Sequence, residues 1–179
     1  MFGTCLIEME LTRSIVIFPQ FNGHIDVIQN IRQQYDPLAS EIAPHITLVF
    51  PFKSEISSGD LSQHVKTCLD KFKSFDLCLK GISQEKGNYL FLNLAEGQEQ
   101  VRKIHDVLYS GILRQFLSTK HHYRPHVTLG HLPDIPTMQS AWERLKFFDY
   151  EFRTQVNKIT TEIILDDFSS KIDFTIAWN

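Results

Sequence analysis

Two five-residue phrases decide the fold: Pro44-His45-Ile46-Thr47-Leu48 and Pro125-His126-Val127-Thr128-Leu129. Each opens on a proline, which steers the residue before it away from helix. The residues after it alternate between polar and apolar or β-branched side chains, the pattern of a strand with one buried face. On such a strand His and Thr share one side, with Cα atoms about 7 Å apart, and the intervening Ile or Val and the following Leu take the other. An imidazole and a hydroxyl at that spacing can touch one phosphate-sized group. Two such strands facing each other would present His45, His126, Thr47 and Thr128 to the same ligand.

Upstream of the first phrase, Arg13 to Pro19 has buried-strand character, and Ile25, Ile28, Ile31 and Tyr35 mark one stripe of a helix beginning near Gly23-His24. Asp36-Pro37 ends that helix, and the His strand runs from His45 to Phe50, closed by Pro51. Ser57 to Asp60 offers capping chemistry for a helix with Leu61, Val65, Cys68, Leu69 and Phe72 on one face. Phe75 to Ile82 reads as a strand, followed by a turn at Gly87-Asn88. The same order then recurs. Tyr89 to Leu94 is a strand, Val101, Ile104, Leu108, Ile112 and Phe116 mark one long helix, and His126 to Leu129 is the second His strand. Met138, Trp142 and Leu145 mark a helix after Pro136, and Phe148 to Gln155 reads as a strand.

Both halves therefore read β-α-β(His-x-Thr)-α-β, which predicts an internal duplication. The repeats span roughly 12–84 and 88–156, and closing strands in 157–179 (Lys158 to Leu165 and Lys171 to Trp178) complete a single domain over 1–179. Two similar lobes about a pseudo-two-fold axis would bring the His strands to opposite walls of one cleft.

Composition bounds the function. The chain has 179 residues, 42% hydrophobic and 22% charged, with 14 Phe for a sizeable core, which is the make-up of an ordinary globular domain. A net charge of −3 argues against an extended nucleic-acid footprint, which needs clustered Lys and Arg. A small anion held in a local pocket is compatible with it. Cys5, Cys68 and Cys78 have no metal-ligand spacing and read as reduced thiols, so a cytoplasmic setting is expected. No apolar run reaches the roughly 18 residues of a membrane span. Met1 to Leu11 lacks a basic start and carries Glu8 and Glu10, a poor signal peptide and the expected extension before a domain that could equally begin at Met9.

The chemistry of the pair is acid–base. An imidazole titrates near 6.5, so around neutrality one ring can accept a proton from water or a hydroxyl while another donates to a departing oxygen. Threonine hydroxyls can donate to the non-bridging oxygens of a phosphoryl group. Neither step requires a metal ion. Lys120-His121-His122-Tyr123-Arg124 is the notable basic cluster; Tyr123 and Arg124 would hold phosphate or stack on a base at the cleft rim, or form a solvated loop. The same two readings apply to Lys53.

The stretches Pro44–Phe52 and Arg124–Leu132 resemble the paired signatures of the two-histidine (2H) phosphoesterases, the superfamily of 2′-5′ RNA ligase-like proteins and cyclic phosphodiesterases. The likeness covers both motifs, their order, the chain length and the duplicated layout. It implies an α+β, bilobal fold with two mainly antiparallel sheets lining a central cleft and helices packed outside. It also implies metal-independent chemistry, without a cofactor, on a 2′,3′-cyclic phosphate or 2′-5′ phosphodiester of a small nucleotide or RNA end. His45 and His126 match the family's catalytic histidines, and Thr47 and Thr128 its phosphate-contacting residues. The motif does not say which histidine is base and which acid, and the sequence names no protein partner.

Two other readings compete. The same cleft could bind a nucleotide or RNA end without turnover, or His105-Asp106 could belong to a metal-dependent phosphohydrolase. His24, His64 and His131 read as surface or loop structure.

Overall fold

Ile46 and Val127, the middle residues of the two phrases, are partners in adjacent antiparallel strands. The computed structural model describes residues 10–21, 25–118 and 122–179; Cys5, Met9, Gly23, His24, Lys120 and His121 lie outside them. In chain order the elements are β1 (Leu11–Ile17), α1 (Ile25–Tyr35), β2 (Ile46–Ser54), α2 (Ser58–Leu69), β3 (Phe75–Glu85), β4 (Tyr89–Glu96) and α3 (Gln98–Leu108). A 3₁₀ turn (Gly111–Phe116), β5 (His126–His131), α4 (Ile135–Leu145), β6 (Phe152–Val156), β7 (Lys158–Ile164) and β8 (Ser170–Ala177) follow.

The helices form where the sequence supplies both a stripe and a start. α1 buries Ile28 and Ile31, and α2 buries Leu61, Val65 and Leu69. The Ser57 hydroxyl caps α2 by accepting from the Asp60 amide at 3.1 Å, and Asp134 caps α4 by accepting from the Thr137 amide at 2.7 Å. The single helix expected from Val101 to Phe116 breaks after Leu108. The backbone turns left-handed at Gly111, φ +48°, a conformation that glycine adopts without strain, and a 3₁₀ turn carries Leu113 back into the core.

The strands hydrogen-bond in the order β6-β3-β4-β5-β2-β1-β7-β8, and the recorded pairings are antiparallel. The α+β class and antiparallel pairing are as expected. The expected two sheets are two four-stranded halves of one sheet, joined at the Ile46–Val127 pair. The halves do not follow chain order. Both third strands of the repeats, β3 and β6, lie beyond β4, and the closing strands β7 and β8 occupy the matching place beyond β1. β6 begins at Phe152 rather than Phe148, because Phe148 and Tyr150 pack against the Phe152 ring outside the ladder. No helix among the described residues is long and apolar enough to cross a membrane.

Each His strand carries one extra residue just after its threonine. On β2 the partners of β1 step from Thr47 to Val49, and on β5 the partners of β4 step from Thr128 to Gly130. The extra residues, Leu48 and Leu129, are fully buried. Such bulges bend a strand and raise its twist, which turns the two halves away from each other beyond the junction. At the second bulge a β-carbon on Gly130 would stand 2.8 Å from Tyr35 Cβ and 3.0 Å from the Tyr35 carbonyl oxygen.

The α1–β5 approach therefore requires glycine at 130. Gly130→Ala should destabilise the protein by about 1–3 kcal/mol through overpacking, read as a lower urea midpoint with an unchanged slope. A midpoint equal to wild type would mean that α1 shifts freely.

Candidate active site

Carrying the Ile46–Val127 register one residue either way puts His45 opposite Thr128 and Thr47 opposite His126. Residues directly opposite in an antiparallel pair project to the same face, with Cα atoms about 4.5–5.5 Å apart. Each imidazole thus lies beside the hydroxyl residue of the other phrase, related by a local two-fold axis through the junction. His45, Thr47, His126 and Thr128 are half-buried, while Ile46, Leu48, Val127 and Leu129 between and beyond them are fully buried. One face of the junction is core; the other is the site.

The two rings are held in the same way. His45 Nδ1 is 2.9 Å from the Ala43 carbonyl oxygen and His126 Nδ1 is 2.7 Å from the Arg124 carbonyl oxygen, in both cases two residues back. A carbonyl only accepts, so each Nδ1 carries hydrogen and each neutral ring leaves Nε2 as its basic nitrogen. His126 also stacks on Phe91, centroids 3.4 Å apart, and His45 meets the edge of Phe18 at 6.2 Å. Arg32, buried in α1, donates to Asp36 and to the Ile42 carbonyl oxygen, which ties down the segment leading into Pro44-His45.

A cavity of about 980 Å³ opens on this face, lined by Thr47, Thr128, His126, Phe91, Tyr123 and Arg102 among others. Its wall is built on the free edge of β2. Past the junction β2 has no neighbour on the β5 side, and side chains satisfy its backbone instead. Tyr123 Oη donates to the Thr47 carbonyl oxygen at 2.7 Å, His105 Nδ1 donates to that of Leu48 at 2.7 Å, and the Phe50 amide donates to Tyr109 Oη at 3.0 Å. The His105 and Tyr123 rings stack 3.6 Å apart.

These placements bear on each residue singled out by sequence. Thr47, Thr128, His126 and Tyr123 line the cavity, and His45 adjoins them through the strand register. Arg124 is paired with Glu85 and donates to Asn93 Oδ1 at 2.8 Å. Lys53 pairs with Glu10 at 2.8 Å. His105 is 5% exposed and serves the β2 backbone. Among the described residues no group of three or more His, Cys, Asp or Glu is placed to hold a metal ion. His64 bonds the Leu108 carbonyl oxygen at 3.0 Å, and His131 stacks on Tyr89. Tyr89, Phe91 and Asn93 went unnoticed in the sequence, although their alternation with the buried Leu90, Leu92 and Leu94 is the signal of a lined face. Arg102 and Tyr109, on and just after α3, leave no such mark.

Burial is the main cause that pushes both site imidazoles below the ordinary value. For His45 the Ala43 carbonyl and the Glu162 carboxylate partly oppose it. His126 falls to about 4, with positive charge on His45 and Arg124 adding to the burial and the Arg124 carbonyl and Glu85 opposing it. In the unfolded chain the same imidazole titrates near 6.5, so on acidification the unfolded state binds its proton first. Stability is complete above 6.5 and falls as pH drops through that value towards about 4. His126→Asn should flatten this segment of the stability–pH curve, measured by urea unfolding across it; an unaltered slope would assign the acid sensitivity to other groups.

Comparisons with known proteins agree with this architecture. A Bacillus licheniformis protein provisionally named a phosphoesterase is 30% identical over 121 residues, 65% of this chain and 68% of its own length. Escherichia coli LigT complexed with phosphate superposes with a TM-score of 0.60 at 13% identity, covering 95% of this chain and 98% of LigT. LigT complexed with 3′-AMP gives 0.58 at 14% identity, covering 96% and 99%. At those identities LigT speaks for the fold alone. The model of the 2′-5′ RNA ligase superfamily matches residues 19–164. That span takes in both His-x-Thr strands and all four helices around them, and the chain belongs to the 2′-5′ RNA ligase superfamily.

Proposed function

We propose that the protein is a metal-independent phosphoesterase that acts on a 2′,3′-cyclic phosphate or a 2′-5′ phosphodiester of a nucleotide or RNA end, with His45 and His126 as its acid–base pair. The observation that carries this reading is the matched tautomer: both rings donate Nδ1–H to a carbonyl two residues back and keep Nε2 as the basic nitrogen. Two basic nitrogens around one two-fold axis suit an in-line displacement, in which one side of phosphorus gains an oxygen and the other loses one.

In ring opening, the neutral imidazole takes a proton from water as its oxygen bonds to phosphorus. The cationic imidazole gives its proton to the ribose oxygen as the P–O bond breaks. The pair ends with its protons exchanged and resets through solvent. Thr47 and Thr128, each opposite a histidine, donate to the non-bridging oxygens and stabilise the charge gathering there. Arg124, held by its ion pair with Glu85, fixes the His126 ring through its backbone carbonyl, and Tyr123 forms the wall against which the nucleotide lies. LigT, of the same fold, has been crystallised with 3′-AMP and with phosphate, ligands of the class this cavity would take.

Incubation with a nucleoside 2′,3′-cyclic phosphate in excess chelator tests the proposal. Turnover should persist, His45→Ala and His126→Ala should each abolish it in folded protein, and Thr47→Val or Thr128→Val should lower kcat about ten- to a thousand-fold. Loss of activity with chelator would overturn the metal-free reaction. Tight binding without turnover by wild type, matched by both alanine variants, would leave a nucleotide-binding module.

A further inference from the structure

The two imidazoles are held alike but not surrounded alike, and the difference is a buried carboxylate. Glu162 lies on β7 opposite Ser14 of β1. Ser14 and Val16 share a face of β1, and Val16 stands opposite Thr47 of β2. Alternation therefore places Glu162, Ser14, Thr47 and His45 on the same face of that half of the sheet. Glu162 is 2% exposed, and the Ser14 hydroxyl donates to its Oε1 at 2.6 Å. Its Oε2 is buried without any hydrogen-bond partner. An unpartnered buried carboxylate oxygen is a standing cost to the fold. It is sealed from any ligand, so what it offers the site is its field.

The charges around the rings sort accordingly. Those facing His45 are Glu162 from β7, Arg32 from α1 and Asp36 from the turn after it. Arg32 and Asp36 form an ion pair at 2.8 Å, so their effects at His45 oppose each other and Glu162 is left over. Those facing His126 are Arg124, Glu85 from β3, and His45 itself. Arg124 and Glu85 are again mutually paired, and the remainder there is the positive charge that His45 carries when protonated. His45 thus feels one fixed charge that has no counter-ion, the Glu162 carboxylate, and His126 feels none.

We propose that Glu162 is a positioning residue that makes His45 the imidazole holding the pair's single proton and keeps His126 neutral. In ring opening by water this assigns His126 as base and His45 as acid, a consequence that rests on the function proposed above. The order of protonation is a property of the free protein and does not depend on that function.

Ring-resolved NMR titration of the ligand-free protein, assigned with His45→Asn and His126→Asn, reads the order directly. His45 should take up its proton at higher pH than His126. Glu162→Gln should move the His45 titration to lower pH and narrow or invert the order, whereas Ser14→Ala, which leaves the carboxylate in place, should preserve it. His126 protonating first in wild type would overturn the proposal without recourse to any variant. A folded Glu162→Gln with His45 unmoved would do the same. In kcat/KM profiles, Glu162→Gln should shift the alkaline limb to lower pH and leave the acid limb in place. A uniform loss of kcat with both limbs unmoved would make Glu162 a packing residue. A shifted NMR titration in a protein that hydrolyses no cyclic phosphate would retain the proton order and refute the enzymatic reading alone.

Discussion

One antiparallel residue pair, Ile46 with Val127, sets the geometry of the whole site. Both side chains are fully buried, which leaves their neighbours on each strand no choice of face. Strand alternation has a period of two, so a one-residue slip of either strand would drive its His and Thr into the core and expose its Ile or Val. The junction does not need to supply much stability. β2 is anchored along β1 and β5 along β4, so each half holds its own His strand and the shared pair contributes register. The bulges at Leu48 and Leu129 then bend both strands just past the threonines. The cleft opens at the point where the four polar side chains end.

Opening a sheet in this way creates a liability that α3 and the loop before β5 resolve. Beyond the junction the β2 backbone loses its strand partner, and each buried polar group left unmet would cost about 1–3 kcal/mol. Tyr123, His105 and Tyr109 answer the Thr47 carbonyl, the Leu48 carbonyl and the Phe50 amide in turn. The proline at 51, which has no amide hydrogen to offer, falls where the β1 ladder steps from Val49 to Phe52, so no ladder bond is lost there. Accounting for these groups gives the mid-helix His105 its purpose. Its ring is the hydrogen-bond partner that a bulged strand edge without a β5 neighbour requires, and its stacking on Tyr123 makes the two side chains one wall.

Much of this was legible in the sequence because it obeys local rules. The His-x-Thr phrases declared their faces by alternation, the helices declared their stripes, and Ser57 stood where a cap belongs. What was hidden depends on contacts made far along the chain. The Gly87-Asn88 turn makes the β3–β4 hairpin local, but nothing local says that β7 takes the equivalent place beside β1; that follows from which strand edges remain free once the junction forms. The helix through Val101 to Phe116 kept its apolar spacing across a break, because Ile112 and Phe116 continue the count even though Gly111 reverses the backbone. Phe148 and Tyr150 alternate like a strand but stack as an aromatic cluster without a ladder partner. The site residues that carried a motif were visible, and those that serve the motif, such as Glu162, Arg32 and Tyr109, were not. Their roles exist only through partners on other elements.

The electrostatics of the site resolve an apparent conflict between an acidic protein and the anionic ligand proposed for it. Two protonated imidazoles at diagonal positions of the junction and half out of water would repel, because the medium screens them poorly. Burial removes that repulsion by holding both rings below the ordinary value in the empty protein. An anion between them reverses the balance, since an opposite charge at contact distance favours the charged ring. The first imidazole to gain a proton then attracts the anion and discourages protonation of the second. In the proposed reaction the pair of rings is therefore neutral without ligand and takes up one proton with it, leaving one ring charged and one basic. Net charge over the whole surface has little bearing on this. What the proposed reaction uses is a pair of rings whose shared proton is drawn in by the phosphoryl group.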